Sequence, residues 1–422
     1  MAATTPQGTS GPSSELPEIA PDGSPAIIRS SWLGGFTIGW DRLFTTVPIY
    51  VGLILIWLYF NSQTGGLFIG ARNLSEMAQE YSYEAVLALG VVFVLLLGEI
   101  DLSLGYLTLL SVALTSSLSA LENWPAMAAI LAAIAICTIA GLCQGLLIAW
   151  VRMPAFVVTL GGFLIFEGIA YHILAGSTVN VFDPFINSIG SYNLTNTLSW
   201  ILVAALILIY VASGLLGRRA RARAGLPSSN IVTFAASSVA IAAGLAIVVA
   251  TLNSYRGVPV ALALLIGFAL LFWYFSTHLR FGRHIFAVGG NLEAARRAGI
   301  NTTAVRWIVF GISGMMAGVA GVMLVGYSQA GSTTTAGPDL LLDVISIAVI
   351  GGVSLTGGKG TVWAVLLGGL VIASLDSGLN LMATDPYYVY IIKGAILLAA
   401  IFIDVVGKRW NDLPFARMLA RG

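Results

Sequence analysis

The chain has 422 residues, of which 58% are hydrophobic and only 9% charged, with a formal net charge of +1 and a mean hydropathy of +0.91. A soluble globular protein carries roughly 25% charged residues, so this composition excludes a water-soluble domain, and the near-neutral charge argues against a nucleic-acid partner. The two cysteines share one apolar run and the three histidines are scattered, so neither a disulfide framework nor a metal site is predicted. We predict an all-α polytopic membrane protein.

Residues 1–40 are rich in Ala, Thr, Pro, Gly and Ser and are predicted to form a disordered cytoplasmic tail. The first apolar run begins near Leu43, so no cleavable signal peptide is expected. A membrane span needs about twenty apolar residues, which predicts a transmembrane domain over residues 41–406 and a C-terminal tail over residues 407–422. About 10–12 helices are expected, some of them broken, with a weak internal repeat. The predicted spans lie near residues 43–60, 83–100, 105–121, 126–151, 155–174, 198–216, 231–252, 258–277, 305–326, 340–356, 361–382 and 387–406, of which 340–356 is the least regular.

Basic residues orient these spans. With twelve spans, 17 of the 20 Lys and Arg fall on the side that holds both termini, including the cluster GRRARARAG at residues 217–225. Only Arg72 and Arg256 fall on the other side, and Lys393 lies within the last span. Because basic residues accumulate in cytoplasmic loops, we predict that both termini are cytoplasmic.

Glycines indicate where helices approach closely. Gly141 and Gly145 form one G-x-x-x-G pattern, and Gly314 and Gly318 form another. Small residues at this spacing let two helix backbones approach each other in lipid. These positions predict a tightly packed bundle and indicate no chemistry.

The stretch GEIDLSLG, residues 98–105, places Glu99 and Asp101 between two apolar runs. A carboxylate at the bilayer centre costs about 2.5–3.5 kcal/mol on insertion scales, so neither is expected to face lipid. Either the helix ends there and Asp101 caps the next helix, or the two carboxylates line a wet cavity and contact a solute. Both alternatives remain open.

A second stretch, GGVSLTGG at residues 351–358, matches the first position by position in the pattern G-x-[I/V]-[D/S]-L-[S/T]-x-G, although chance in a glycine-rich chain is an alternative. Corresponding interrupted helices point to a transport site at a repeat interface. Polar residues within spans usually face the bundle interior, and a structural hydrogen bond between helices is the other explanation for each. Asp343 and Lys393 also lie within spans, without an evident partner. The candidates for a translocation path are Glu99, Asp101, Ser103, Gln144, Thr159, Glu167, Ser354, Thr356, Asp376 and Asn380.

The stretch NLEAARRAG, residues 291–299, predicts a short helix between two spans. Asn291 is a suitable N-cap, Glu293 falls in the first turn, Arg296 and Arg297 come late, and Gly299 ends the helix. Taken alone, a basic cytoplasmic helix is typical of an anchor on anionic lipid headgroups.

Four stretches resemble motifs of one family, the monosaccharide permeases of ATP-binding-cassette importers of the ribose, xylose and galactose type. GEIDLSLG resembles G-G-I-D-L-S-V-G, and WVRMPAFVVTLGG (residues 150–162) resembles R-[V/I]-P-x-F-[I/V]-x-T-L-G. Residues 280–307 resemble Y-A-x-G-G-N-x-x-A-A-x-x-x-G-I, and residues 351–382 resemble G-G-x-S-x-x-G-G-x-G. The chain departs from the pattern in its long N-terminal tail, in Glu99, where many relatives have glycine, and in extra material before about Pro259 that adds a helical hairpin. That insertion resembles the xylose branch.

The resemblance implies a transport subunit, not an enzyme, in a bacterial plasma (inner) membrane. A cytoplasmic ATP-binding-cassette ATPase subunit would use ATP and magnesium, and this chain is expected to bind no cofactor itself. An extracytoplasmic sugar-binding protein would deliver a monosaccharide, a pentose such as xylose, to a pore formed with a second copy of this chain, and alternating access would move it. Coupling to the ATPase is expected in the loop at residues 279–306, through Asn291, Leu292, Glu293, Ala294, Ala295, Arg296, Arg297, Ala298, Gly299 and Ile300.

Other functions fit the residues less well. Lys359 in LTGGKGT fails the phosphate-loop pattern, because Val353 stands where the first glycine belongs and Gly360 follows the lysine. The GISG stretch at residues 311–314 resembles the serine motif of rhomboid proteases, but no histidine follows His284. A secondary sugar symporter would have its central loop between two six-helix halves, whereas the loop here follows span eight. A permease for branched-chain amino acids or another small solute is the nearest alternative.

Overall fold

The computed structural model describes residues 40–225 and 230–412 of the chain. The predicted N-terminal tail, except its last residue, and residues 413–422 of the predicted C-terminal tail lie outside the described residues. Helices dominate the described part, as the composition predicts, and two very short strands pair antiparallel, with Val179 opposite Gly331. The elements in chain order are α1 (Trp40–Gln63), α2 (Ala71–Leu96), α3 (Leu104–Ser116, continued by a π-helical turn, Ser117–Leu121), α4 (Ala126–Ala149), α5 (Ala155–Leu174), β1 (Val179–Asn180), α6 (Pro184–Gly190), α7 (Asn196–Arg223), α8 (Ile231–Asn253), α9 (Val260–His278), α10 (Arg280–Gly290), α11 (Leu292–Arg297), α12 (Thr302–Ser328), β2 (Ala330–Gly331), α13 (Pro338–Ile350), α14 (Ala364–Leu381) and α15 (Pro386–Asp412).

Helix starts follow from local side-chain chemistry. Several helices begin after a residue whose side-chain oxygen accepts a hydrogen bond from a backbone N–H of the first turn, which satisfies donors that have no intrahelical partner. These capping residues are Asp183 for α6, Thr195 for α7, Asn230 for α8, Asn291 for α11 and Asn301 for α12. Helices α4, α5 and α9 instead follow a proline, whose fixed φ suits the entry to a helix.

The protein is a multi-pass membrane protein. Among the described residues, nine helical segments are long and apolar enough to cross a bilayer: α2, α3 with its π-helical turn, α4, α5, α7, α8, α9, α12 and α14. Two shorter apolar segments, Ile49–Gln63 and Pro386–Ala399, belong to α1 and α15. The predicted all-α polytopic fold is therefore confirmed.

The predicted span at residues 340–356 is only partly helical. The apolar stretch at residues 340–356 contains helix α13, which has 13 residues and ends at Ile350. At a rise of 1.5 Å per residue, such a helix is about 20 Å long and cannot cross a hydrocarbon core of about 30 Å. The following residues leave the helix because Gly352 adopts a positive φ of 95°. Hydropathy alone cannot separate this half-length helix from a complete span.

The span predicted at residues 83–100 is displaced. Helix α2 begins at Ala71 and ends at Leu96. Its first turns carry Arg72 and Glu76, which form an exposed ion pair with 2.8 Å between Nε and Oε1. This charged start lowers the hydropathy of a segment that is nevertheless helical.

Helices α2 and α12 form the centre of the bundle, with 83% and 78% of their most apolar segments buried. The predicted glycine patterns lie where α12 crosses α4. A β-carbon added at Gly314 would overlap the carbonyl oxygen of Cys137, and one added at Gly141 would overlap that of Phe310. The prediction that these glycines bring helix backbones into contact is confirmed.

Helices α7 and α8 form a hairpin beside the bundle. Their most apolar segments are only 6% and 0% buried, and a small separate cluster of Val203, Val249, Leu252 and Val258 joins them to their surroundings. The predicted added hairpin thus consists of α8 paired with α7. The basic cluster lies largely in the last turns of α7.

The crossing of α4 and α12 should not tolerate side chains at its glycines. We expect Gly314→Leu to destabilise the protein by about 1–3 kcal/mol or more, because overpacking at a backbone contact forces the helices apart. Gly168→Leu on α5 is the matched control, because a β-carbon there meets no atom within 4 Å. Unfolding of the purified protein in lipid nanodiscs measures the difference, and equal stability of the two variants would contradict this packing.

Candidate functional site

Helix α2 ends at Leu96 and α3 begins at Leu104, so residues 97–103 form an irregular segment, called here the first break. Asp101 in this segment is only 5% exposed. Its Oδ1 accepts hydrogen bonds from the Ser103 backbone N at 2.9 Å and the Ser103 hydroxyl at 2.6 Å. Asp101 therefore binds the backbone at the start of α3, and the helix-break interpretation is confirmed. Contact of Asp101 with a solute stays a prediction.

Gln144 extends this polar network to α4. Its Nε2 lies 3.0 Å from the Ser103 hydroxyl oxygen, and its side chain is buried. On α5, a β-carbon added at Gly162 would overlap the same amide nitrogen. Three helices thus contact one chain of buried polar groups that begins at the first break.

Glu99 forms an ion pair with Arg306 on α12, with a hydrogen bond from Arg306 Nε to Glu99 Oε1. The two side chains are only 14% and 22% exposed. The second carboxylate oxygen of Glu99, Oε2, is buried and has no hydrogen-bond partner among the described residues. Glu99 therefore faces a neighbouring helix, as its cost in lipid requires. The sequence alone indicates no partner for Glu99.

The second stretch of the repeated pattern lies in an irregular segment at residues 351–363, between α13 and α14, called here the second break. The hydroxyl oxygens of Ser354 and Thr356 lie 2.9 Å apart, and the Ser354 backbone N donates to the Lys359 carbonyl at 2.9 Å. The Gly358 backbone N donates to the carbonyl oxygen of Leu96 at 2.9 Å. The two breaks therefore touch each other.

The end of α10 packs against both breaks. A β-carbon added at Gly289 would overlap the Leu96 carbonyl oxygen and lie 2.8 Å from the Gly358 backbone nitrogen. A β-carbon added at Gly357 would lie 2.8 Å from both the Gly289 carbonyl oxygen and the Gly98 backbone nitrogen. Three backbone segments that are distant in sequence meet here without intervening side chains.

Helix α11 follows at once and has the structure predicted from its residues. Asn291 Oδ1 accepts a hydrogen bond from the Ala294 backbone N at 2.9 Å. Glu293 Oε1 lies 3.3 Å from Arg297 Nε, and Glu293 Oε2 lies 3.8 Å from Arg296 Nη1. Gly299 has a φ of 81°. The helix buries Ala295 and exposes its other side chains, including Leu292, which is 41% exposed. The predicted short helix is confirmed; its role as a coupling element stays a prediction.

The remaining stretch of the resemblance, residues 150–162, also reaches this region. The rings of Trp150 and Trp307 stack with their centroids 5.6 Å apart, and Trp307 Nε1 donates to the Leu142 carbonyl at 3.0 Å. Each of the other three stretches therefore contacts the stretch at residues 280–307. Of the predicted path residues, those at the two breaks or bonded to them are Glu99, Asp101, Ser103, Gln144, Ser354 and Thr356.

The other predicted path residues lie elsewhere. The Thr159 hydroxyl donates to the Ala155 carbonyl of its own helix at 2.9 Å. Glu167 on α5 faces the Tyr106 hydroxyl, and Asn380 is exposed at the end of α14. Whether any of these residues contacts a solute stays a prediction.

Asp376 belongs to a second polar centre. Lys393 Nζ on α15 lies 2.6 Å from Asp376 Oδ1 and 3.0 Å from Asp343 Oδ2. Glu84 on α2 joins them, with one oxygen of each carboxylate within 4.8 Å of the others. Sequence analysis missed Glu84, although a single carboxylate in the run YSYEAVLALG is a signal that could have found it. These carboxylates are a donor set for a cation, and Lys393 already supplies one positive charge.

The sequence model of a family described as the permease component of the branched-chain amino acid transport system matches residues 73–401. The chain belongs to this permease family. The family defines a transport subunit, in agreement with the many membrane-spanning helices and with the motifs that meet at the two breaks.

Three relatives show which kinds of permease this chain is similar to. A xylose transport system permease protein of Haemophilus influenzae is 35% identical over 370 residues, 86% of this chain and 97% of the relative. One of Escherichia coli strain K12 is 37% identical over 379 residues, 89% of this chain and 95% of the relative. The ribose import permease protein of that strain is 29% identical over 352 residues, 83% of this chain and 91% of the relative. No solved structure matches the chain.

The contact at Gly289 should be sensitive to a single methyl group. We expect Gly289→Ala to cost roughly 1–3 kcal/mol of stability, because its β-carbon must displace the Leu96 carbonyl. Gly290→Ala is the matched control, because a β-carbon there meets no atom within 4 Å. Comparing the unfolding of both variants in nanodiscs tests the contact, which is wrong if Gly289→Ala is as stable as the control.

Proposed function

We propose that this chain is the membrane permease subunit of an ATP-driven importer of a monosaccharide, and that the sugar is a pentose such as xylose. The observation that carries this proposal is the 35–37% identity to two xylose transport system permease proteins along nearly their whole length. The ribose relative extends the same chemistry to a second pentose at lower identity. The convergence of four sugar-permease motifs on one region supports the proposal independently.

We infer that α11 docks on a cytoplasmic ATPase subunit, which binds ATP and magnesium. Its exposed residues offer an apolar side chain, Leu292, beside the charged Glu293 and Arg296. A partly apolar, partly charged patch suits a protein interface better than a purely basic anchor on lipid headgroups. The two basic side chains that follow Glu293 fit either a protein partner or a lipid headgroup. The family assignment favours the ATPase subunit.

Motion of α11 has two routes to the breaks. Ahead of α11, Gly289 contacts Leu96, the last residue of α2 before the first break, and Gly358 of the second break without an intervening side chain. Behind α11, Arg306 holds Glu99 of the first break. A displacement of α11 by the ATPase therefore moves both breaks together, since the contact at Gly289 has no flexible side chain that could absorb it.

Separation of the breaks would expose a polar lining suited to a sugar. Asp101, Ser103 and Gln144 offer carboxylate, hydroxyl and amide groups that can replace water around sugar hydroxyls. Here they bond one another and are buried, which supports a path that is closed at the breaks. Alternating access then requires that the contact between Gly358 and Leu96 opens during the cycle.

The remaining parts of the proposal concern partners and orientation. Both termini would be cytoplasmic, because 17 of the 20 Lys and Arg fall on their side if α13 and the irregular residues next to it together make one of twelve crossings. An extracytoplasmic binding protein would deliver the sugar, and two copies of this chain would form the pore. The purified chain alone should move no sugar.

The alternative substrate is a branched-chain amino acid, which the description of the family names. We expect proteoliposomes with this chain, its ATPase and its binding protein to take up labelled xylose when ATP is present and to leave leucine outside. Omission of ATP is the control. Uptake of leucine but not of xylose would show that the substrate is an amino acid. Uptake of xylose without ATP would contradict the proposal that the importer is driven by ATP.

Docking at α11 is tested separately by charge reversal. We expect Arg296→Glu to lower ATP-dependent uptake by more than about tenfold, since tenfold in affinity corresponds to only about 1.4 kcal/mol and an interface hot spot contributes about 2 kcal/mol or more. Arg219→Glu, an exposed arginine at the end of α7, should leave uptake unchanged. Equal uptake by both variants would remove α11 from the interface.

A further inference from the structure

The second polar centre lies where helices α2, α13, α14 and α15 meet. Lys393 Nζ contacts both oxygens of Asp343, at 3.1 and 3.0 Å, and Asp376 Oδ1 at 2.6 Å. The side chains of these three residues are 19%, 14% and 15% exposed. The ammonium group is therefore held between the two aspartates and is largely removed from solvent.

Glu84 points into this cluster but takes no part in the ion pairs. It is 7% exposed, and its carboxylate lies within 4.8 Å of those of Asp343 and Asp376. Among the residues that the structure describes, its carboxylate has neither a hydrogen bond nor an ion pair. Lys393 contacts the two aspartates only. An almost fully buried carboxylate thus faces two others without a positive partner of its own.

The charges of the cluster do not balance. Three carboxylates and one ammonium give a formal charge of −2 if all are ionised. A buried, unpaired charge is so costly that the group is neutralised instead. Of the three carboxylates, only Glu84 lacks contact with the ammonium, so the neutralising cation belongs there.

A proton fits this position better than a metal ion. The Lys393 ammonium already lies between Asp343 and Asp376, so a metal ion bound to all three carboxylates would lie beside another cation. A proton on Glu84 needs no further ligands and turns an acceptor into a donor directed at the aspartate oxygens.

We propose that Glu84, Asp343, Asp376 and Lys393 form a proton-binding site in which Glu84 carries the proton. Helix α2 leads into the first break and α13 leads into the second, so the proton holds these two helices together. When the proton leaves, Glu84 repels the aspartates of α13 and α14. The site is thus a proton-dependent clamp, and its existence is independent of which solute the protein transports.

Charged and titratable groups from every packed element surround Glu84. Three of them are carboxylic acids, three are tyrosines and one is the Lys393 ammonium. These groups are Glu80, Tyr81 and Tyr83 on α2, Tyr327 on α12, Asp343 on α13, Asp376 on α14 and Lys393 on α15. The Tyr390 hydroxyl donates a hydrogen bond to Asp339 Oδ2 at 2.8 Å. Asp339 is therefore paired with a group outside the cluster.

The stability of the protein then depends on pH with a defined sign. Above the ordinary titration range of a carboxylic acid, the folded protein binds one more proton than the unfolded chain, so stability falls as pH rises. One proton corresponds to about a tenfold change in the unfolding equilibrium for each pH unit. Glu84→Gln keeps the shape and the hydrogen-bond donor but removes this proton.

The experiment compares unfolding of the full chain by sodium dodecyl sulfate in mixed micelles, across neutral and alkaline pH. We expect the unfolding equilibrium constant of the wild type to rise by about tenfold more per pH unit than that of Glu84→Gln. Glu76→Gln is the matched control on the same helix, because Glu76 is exposed and paired with Arg72; its slope should equal that of the wild type. Equal slopes for the wild type and Glu84→Gln would overturn the proposal.

A second measurement needs no variant. Infrared spectra of the wild type at neutral pH should contain the carbonyl stretch of a buried protonated carboxylic acid, which disappears at alkaline pH. Absence of this band would overturn the proposal. So would stabilisation by sodium, magnesium or calcium ions that is lost in Glu84→Gln, since the cluster would then hold a metal ion.

Discussion

The structure depends on one point of backbone contact, where Gly289 at the end of α10 meets Leu96 and Gly358. No side chain larger than hydrogen fits there, so three segments from distant parts of the sequence cannot move independently. Closely packed backbones transmit displacement because the interior has little free volume. The contact therefore joins the segment before α11, which is exposed, to the two breaks. The ion pair between Glu99 and Arg306 adds a second joint on the other side of α11.

Local features of this site could be predicted from the sequence, because short-range chemistry determines them. The capped helix α11 follows from Asn291, Glu293 and the final glycine, and the end of a helix before Asp101 follows from the cost of charge in lipid. The close crossing of α4 and α12 follows from glycine spacing. The length of α13 could not be predicted, because an apolar run of irregular backbone and an apolar helix have the same hydropathy.

Partners across the bundle were beyond prediction for a different reason. Glu99 and Arg306 are 207 positions apart, and no local pattern indicates that α12 brings the arginine to the first break. The same holds for Asp343 and Lys393, which are 50 positions apart on α13 and α15. Glu99, Asp343 and Lys393 were visible as polar residues between or within apolar runs, but their partners depend on how the helices pack. Sequence therefore located the polar centres without showing which charges meet.

Helix α2 connects two polar centres that differ in their charge balance. At its end, Glu99 is matched by Arg306, and Asp101 is stabilised by hydrogen bonds from Ser103. Near its middle, Glu84 faces two aspartates that share one lysine. In the first centre each carboxylate is in contact with a cation or with hydrogen-bond donors, whereas Glu84 in the second centre has neither among the described residues. Because α13 packs on α2 and contributes to the second centre, the proton on Glu84 and the contact between the breaks act on the same pair of helices. A change in either one alters how readily these helices separate.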